Sequence, residues 1–263
     1  FPSNAIAYCL SEVGCTPADI DYVVFYDKPF LKFERLLETY LAYAPVGFKS
    51  FATSLPVWLT DKLFQKSVIS KALTDLWGKD INWEERLLFS EHHLSHAASA
   101  FFPSPFEDAA ILTMDGVGEW TTTSLAIGHG NELKVHKEIH FPHSLGLLYS
   151  AITYYTGFKV NSGEYKVMGL SAYGNKNPAT NPYYAALRRM IDLKPDGSFR
   201  LDMGFFDYEF AERMPSKKFC ELLGGPSREP VEPVTARHQD IAAAVQLVTE
   251  EAVLSMLRHL HRQ

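Results

Sequence analysis

Three short runs between residues 109 and 141 constrain the fold most, because each has the length and composition of a β-strand and a turn separates it from the next. The runs are AAILTM (109–114), WTTTSLAIG (120–128) and LKVHKEIHF (133–141), the last alternating apolar and polar residues. SLGLLYSAITYYTG (144–157) then has a helical pattern that ends at a glycine. The sequence therefore predicts a three-stranded antiparallel meander followed by a helix.

Helical and strand-like segments alternate on both sides of this meander. In chain order the sequence predicts a buried strand at 20–26, mostly helix at 30–79, a strand at 86–90, a hairpin at 185–203, a proline-rich loop at 215–235 and an amphipathic helix at 236–262. The apolar stripe of that last helix consists of Ile241, Val245, Val248, Ala252 and Met256. This mixture predicts an α/β fold.

The composition is that of a globular protein large enough to bury a substantial core, with 263 residues of which 46% are hydrophobic and 21% charged. A net charge of −6 argues against general nucleic-acid binding. The three cysteines are widely spaced and form no metal-binding pattern, which is typical of a reducing compartment. No signal peptide is recognisable, and no apolar run approaches the ~18 residues of a membrane span. We therefore expect a cytoplasmic protein with no nucleic-acid or membrane partner.

The segment SEHHLSHAASAFF (90–102) contains three histidines and can form a helix with Ser90 as its N-cap. On a helix His92 and His96 share a face, while His93 points roughly 100° away. Two imidazoles at this spacing can bind one divalent metal, although solvated or core histidines at a helix end are the simpler alternative. A zinc protease would need glutamate where His93 stands. A metal site also needs a third ligand from elsewhere.

Two glycine-containing segments follow the histidines. In DGVGE, Gly116 and Gly118 permit a tight turn whose outward backbone N–H groups can hold phosphate oxygens, and Asp115 could orient a metal ion or a water. An ordinary hairpin turn explains the same residues. In NSGEYKVMGLSAYG (161–174), Lys166 can offset phosphate charge, whereas the alternative is a surface loop before a helix.

The order of these segments resembles the O-carbamoyltransferase family, which includes nodulation and antibiotic-tailoring enzymes. The matching residues are HHLSHAASAFFPSPFEDAAILTMDGVGEW, FPHSLGLLYSAITYYTGF, GEYKVMGLSAYGN and, further on, HQDIAAAVQ (238–246). The resemblance spans nearly the whole chain and is most specific between residues 86 and 174.

The resemblance implies an ATPase fold of the actin, Hsp70 and sugar-kinase type, incomplete at both ends. Residues 1–85 would be the remainder of the first half of this fold, with a helical insert. Residues 86–263 would hold the metal and nucleotide site and the strand meander of the second half, with its helices. A first meander is expected before residue 1, and the later nucleotide-binding motifs are expected after Gln263.

The resemblance also implies ATP-dependent transfer of a carbamoyl group from carbamoyl phosphate, through a carbamoyl-adenylate, to a hydroxyl of a small molecule or sugar. His92 and His96 would bind a divalent metal, with iron favoured and zinc or manganese as alternatives. The third ligand would be an aspartate beyond Gln263, as would the domain that makes the carbamoyl-adenylate. We therefore expect this segment to be inactive alone, with its acceptor pocket built from residues 30–79 and 175–235.

The remaining site residues follow from the motif match. The predicted nucleotide and phosphate contacts are Asp115, Gly116, Gly118, Glu119, Gly146, Gly163 and Lys166, and the predicted catalytic residues are His93 and Asp115. Two alternatives stay open: another ATPase-fold enzyme, such as a sugar kinase or a tRNA threonylcarbamoyl-type transferase, and a non-catalytic binding domain. Paired histidines argue against a sugar kinase, and the acidic charge balance argues against a tRNA partner.

Overall fold

A computed structural model of the chain describes residues 1–60 and 62–262, which form a mixed α/β structure with three small sheets in this part. The helices are α1 (Ser3–Val13), α2 (Pro29–Tyr43), α3 (Phe48–Val57), α4 (Gln65–Trp77), α5 (Trp83–Arg86), α6 (His92–Phe101), α7 (Leu145–Tyr155), α8 (Glu164–Ser171), α9 (Tyr184–Arg188), α10 (Lys217–Leu222) and α11 (Ala236–His261). The strands are β1 (Val23–Phe25), β2 (Leu87–Phe89), β3 (Asp108–Met114), β4 (Thr121–His129), β5 (Glu132–His140), β6 (Ile191–Leu193) and β7 (Phe199–Leu201). Short turns of other helix types lie at Pro17–Asp19, Trp58–Lys62 and Met203–Phe205.

The predicted meander is confirmed. Strands β3, β4 and β5 pair antiparallel in that order, and α7 follows. Asp108 lies opposite His129 and Met114 opposite Thr123, so the turn after β3 is at the same end of the sheet as the start of α7. β4 is the central strand and carries most of the buried residues of this sheet. The meander therefore holds the turn after Met114 in a fixed position.

Strands β1 and β2 form a separate parallel pair with Val23 opposite Leu87 and Phe25 opposite Phe89. Both strands were predicted, although β1 is only half-buried, with Val24 60% exposed. In a parallel pair the carboxyl ends of the two strands lie at the same edge. The residues that follow β1 and β2 are consequently neighbours, and α6 begins at this edge.

The largest core surrounds α11, and we call it the α11 core: the buried apolar residues from α7 to α11. The predicted stripe of α11 is confirmed, because Ile241, Val245, Val248, Ala252 and Met256 are each at most 1% exposed. A smaller cluster packs α4 against β2, and another packs α6 against the meander. Within the described residues, the helices lack the combination of length and apolar character that a membrane crossing requires.

Three local predictions are wrong in detail. The segment 161–174 contains the helix α8, because Val167 and Ser171 are buried and α8 packs closely against α11. The proline-rich stretch 215–235 contains α10, whose N-terminus is capped by the Ser216 hydroxyl. Ser90 does not cap α6, because its N–H donates to Phe25 O and so continues the β1–β2 pairing; Glu91 stands at the N-cap instead.

Candidate metal centre

A group of possible metal ligands lies where α6 meets the turn after β3. His92 and His96 lie on one face of α6, as predicted, and Asp115 follows β3 directly. Nitrogen and oxygen donors of these three side chains all lie within 4.8 Å of one another. His92 Nε2 is 2.6 Å from Asp115 Oδ2 and 3.0 Å from His96 Nε2, while His96 Nε2 is 3.7 Å from the same carboxylate oxygen.

Asp27 contacts His92 through the ring nitrogen that does not face Asp115. It follows β1, is 8% exposed, and accepts a hydrogen bond from His92 Nδ1 at 2.6 Å; its other oxygen accepts one from Lys32 Nζ at 2.7 Å. A carboxylate on Nδ1 fixes the tautomer in which Nε2 is free to bind a metal. Asp27 is not among the predicted site residues, although its position just after a predicted strand was a signal. Recognising it required the parallel pairing of β1 with β2.

Glu119 connects the three segments of the site. Its carboxylate is 6% exposed and accepts the backbone N–H of His92 at 3.1 and 3.2 Å and that of Lys28 at 2.8 Å. A carboxylate at this place satisfies free N–H groups at the first turn of α6 and interacts favourably with the helix dipole. The geometry thus gives Glu119 a structural role, whereas its predicted nucleotide contact stays a prediction.

His93 lies beneath the group rather than at its surface. It is 3% exposed, and its Nδ1 is 2.7 Å from Thr113 Oγ1, which is itself 2.6 Å from Ser124 Oγ. Its Nε2 faces Asp115 Oδ1 at 3.4 Å. His93 therefore lies between Thr113 and Asp115. Its predicted substrate contact or proton transfer stays a prediction.

The charges of the site are strongly coupled. Hydrogen bonds to Asp115 and Asp27 raise the pKa of His92 to about 9, against the opposing effect of burial. Burial acts to raise the pKa of Asp115, but the hydrogen bond with His92 and the proximity of His93 outweigh it and hold the pKa well below its ordinary value. Burial, followed by the charge of His92, lowers the pKa of His96. A proton on His92 therefore occupies the position that a metal cation would take.

The residues present fit a divalent metal. Asp115 Oδ1 and His93 Nε2 are buried and have no hydrogen-bond partner among residues 1–60 and 62–262, so the carboxylate retains an unused acceptor. Two imidazoles and one carboxylate suit iron(II), zinc or manganese. The sequence placed the third ligand beyond Gln263, yet the hairpin brings Asp115 against α6 and supplies a third donor from within the chain. The later aspartate that the sequence analysis expects beyond Gln263 stays a prediction.

Comparison with known proteins identifies the family of the chain. The whole chain, residues 1–263, matches the family described as Carbamoyltransferase N-terminus. The chain belongs to the carbamoyltransferase family. This is a family of transferase enzymes, as the sequence analysis predicted.

Three curated relatives extend the comparison. An uncharacterized protein of Synechocystis sp. is 57% identical over 258 residues, which are 97% of this chain and 41% of that protein. The nodulation protein NolNO of Sinorhizobium fredii is 31% identical over 267 residues, which cover 98% of this chain and 34% of that protein. The nodulation protein NolO of Bradyrhizobium diazoefficiens is 30% identical over 174 residues, 65% of this chain and 28% of that protein. The chain thus spans about two fifths or less of these relatives.

The two glycines of the turn at 115–119, Gly116 and Gly118, differ in how much space surrounds them. The N–H of Gly118 donates to Thr121 O at 2.9 Å, so the predicted outward orientation of this donor toward phosphate is wrong. A Cβ on Gly118 would lie 3.1 Å from both His92 Cβ and His93 Cδ2. Gly118 therefore lets the turn approach α6 closely. Gly116 has more space, with Leu147 Cδ2 at 3.8 Å, and its phosphate contact stays a prediction.

The remaining predicted contacts lie on the helices that follow. A Cβ on Gly146 would overlap the carbonyl of Asp115, so this glycine lets α7 pack directly on the backbone of the turn. A Cβ on Gly163 would lie 2.7 Å from Lys159 O, so close packing accounts for a glycine at this position. Lys166 belongs to α8, and its Nζ is 5.9 Å from the centres of the Phe158 and Tyr165 rings. Nucleotide contacts by all three stay predictions.

Proposed function

We propose that this chain forms the metal-centred part of an ATP-dependent O-carbamoyltransferase. The observation that carries the proposal is the convergence of His92, His96 and Asp115 on one point, with Asp27 behind His92. The donor would be carbamoyl phosphate, activated with ATP as a carbamoyl-adenylate, and the acceptor would be a hydroxyl of a small molecule or sugar. Iron is the favoured metal, and zinc or manganese suit the same ligands.

We further propose that the architecture is an ATPase fold of the actin, Hsp70 and sugar-kinase type. The antiparallel order β3–β4–β5 followed by α7 supports this proposal, because it agrees with the opening of the second half of such a fold. The Asp115–Glu119 turn joins the first two strands of this meander. A nucleotide bound beside that turn would place its phosphates near the histidines.

Each residue of the group has a distinct role in the proposed transfer. His92, His96 and Asp115 would hold the metal, Asp27 would fix the ring orientation of His92, and His93 would position Asp115. A bound divalent cation supplies positive charge that offsets the negative charge of phosphate oxygens. In the transfer step the acceptor oxygen forms a bond to the carbamoyl carbon, the bond from that carbon to the phosphate oxygen breaks, and AMP leaves as the hydroxyl proton is lost.

Other partners are proposed from the family alone. The carbamoyl-adenylate would be made by a separate domain of the same polypeptide, and a further metal ligand would come from an aspartate beyond Gln263. Acceptor recognition would involve residues 30–79 and 175–235. The protein would act in the cytoplasm, without a nucleic-acid partner.

The test uses the protein at its full natural length. Metal content and carbamoyl-phosphate-dependent ATP turnover are measured for the wild type and for the double variant His92→Ala/His96→Ala. We expect about one metal per chain in the wild type and loss of both properties in the variant, because two of three ligands are removed.

A double variant of exposed histidines on β5, His136→Ala/His140→Ala, provides the matched control and should retain both properties. Metal and turnover that persist without His92 and His96 would refute the site. Metal binding without any carbamoyl-phosphate-dependent turnover in the wild type would refute the reaction and favour a binding domain.

A further inference from the structure

The proposed reaction leaves one charged residue beside the metal centre without a role. Arg35 lies on α2, and its guanidinium carbon is 5.2 Å from the centre of the Phe141 ring. The N–H of Phe141 donates to Trp120 O at 2.7 Å, and Trp120 directly follows Glu119. Arg35 is therefore stacked at the base of the turn that carries Asp115.

One donor of the Arg35 guanidinium, Nη1, is buried and has no acceptor among the described residues. Burial lowers the pKa of Arg35 to about 10, while the charges of Asp115, Glu119 and Asp27 act in the opposite direction. These acids are within electrostatic reach, but most of their oxygens contact other groups: Asp27 binds His92 and Lys32, Glu119 accepts backbone N–H groups, and Asp115 Oδ2 contacts His92. Asp115 Oδ1 faces His93 Nε2 at 3.4 Å.

The chemistry of the guanidinium indicates what Arg35 could bind. Guanidinium has five N–H donors in a fixed plane, and a buried donor without an acceptor is costly. The usual acceptors of such a planar set are carboxylate and phosphate oxygens, often in bidentate geometry. The unpartnered Nη1 is therefore a donor for which the described residues supply no acceptor.

The charge balance of the site depends on the metal. With a metal bound and the histidines neutral, the three negative charges of Asp27, Asp115 and Glu119 are opposed by the charges of Arg35, Lys32 and the divalent cation. The metal-bound group is then positive by one. The metal-loaded site therefore attracts an anion, and Arg35 is the donor that is still unused.

We propose that Arg35 binds the phosphoryl oxygens of the carbamoyl donor at the metal centre. The stacking on Phe141 holds the guanidinium plane in place, so the loss of side-chain entropy on binding is small. The identity of the donor as an adenylate rests on the proposed function. The binding of a phosphoryl group by Arg35 does not depend on turnover and can be measured directly.

The test measures the affinity of the Mn²⁺-loaded, full-length protein for AMP and for adenosine by titration calorimetry. The two ligands differ by the phosphoryl group. For Arg35→Met we expect AMP to bind about 10- to 100-fold more weakly, because a hydrogen bond to a charged group is lost, with adenosine binding and metal content unchanged. Arg35→Lys keeps the charge without the planar set of donors. Its AMP affinity should lie between those of the wild type and Arg35→Met.

The matched control is Arg258→Met, which removes an exposed guanidinium from α11 and should leave AMP binding unchanged. Unchanged AMP affinity in Arg35→Met, an equal loss for adenosine, or a wild type that does not prefer AMP would each overturn the proposal. If Arg35→Met does not fold, as judged by circular dichroism, Arg35→Lys decides by the same comparison. Failure of the proposed reaction is a separate result, since it appears as absent turnover in a wild type that still prefers AMP.

Discussion

The α11 core and the N-terminal helical region (residues 1–57) are both largely helical, but they are held in place in different ways. Helix α11 has ten buried side chains in 26 residues, whereas α1, α2 and α3 have none in 11, 15 and 10 residues. The N-terminal helical region instead reaches the metal centre through polar contacts, from Asp27 to His92 and from Lys28 to Glu119. Apolar burial therefore determines stability in one region, and hydrogen bonds determine the geometry of the site in the other.

The largest expected difference concerns side-chain truncation. Ile241→Ala removes a fully buried side chain from the α11 core and should lower the free energy of unfolding by about 2–5 kcal/mol. Leu41→Ala, at a 77% exposed position of α2, should change it by less than about 0.5 kcal/mol. Denaturant unfolding of both variants checks the prediction, and equal losses would contradict the comparison.

The second prediction concerns the contact between α7 and the metal-centre turn. Gly146→Ala forces a Cβ against the Asp115 backbone and should cost about 1–3 kcal/mol or more, together with part of the bound metal. Gly169→Ala in α8 has no atom within 4 Å of the new Cβ and should stabilise the protein by up to about 1 kcal/mol. Thermal unfolding and metal analysis of the two alanine variants distinguish them; similar behaviour would mean that α7 is not held by this contact.

The third prediction tests whether the N-terminal helical region acts on the site through Asp27. Asp27→Asn should weaken metal binding about 10- to 100-fold, because His92 loses its carboxylate partner. Glu12→Gln removes an exposed carboxylate from α1 and should leave the metal affinity unchanged. Competition with a metal chelator gives both affinities. A wild-type affinity in Asp27→Asn would show that this contact is dispensable.

The smallest effect is expected from pH in the metal-free protein. The pKa of His92 is raised from 6.5 to about 9, so its protonated form stabilises the fold; this contribution is fully present below pH 6.5 and is lost as the pH rises through about 9. His92→Asn should therefore lose the most stability relative to wild type at low pH, and the difference should narrow as the pH increases. Chemical unfolding between about pH 6 and pH 10 measures this. A difference that widens with pH would contradict the assignment.

Local pattern was sufficient for much of the secondary structure. The meander, the α11 stripe and the hairpin β6–β7 are as predicted, because apolar periodicity and turn residues are properties of short segments. The helices at 164–171 and 217–222 were missed, since glycine and proline in their surroundings indicate loops. Their formation depends on packing and capping partners elsewhere, such as α11 for Val167.

The histidine pair could be recognised from sequence because a spacing of four on a helix places both rings on one side. Asp27, Asp115 and Arg35 could not be assembled in the same way, since they are far from the pair and from one another in the chain. Parallel pairing of β1 with β2 brings Asp27 to His92, the β3–β4 turn brings Asp115, and α2 brings Arg35. Spacing along the chain thus determines which ligands share a helix face. The residues that surround those ligands are determined by the tertiary structure, because contacts between distant segments form only when the segments pack together.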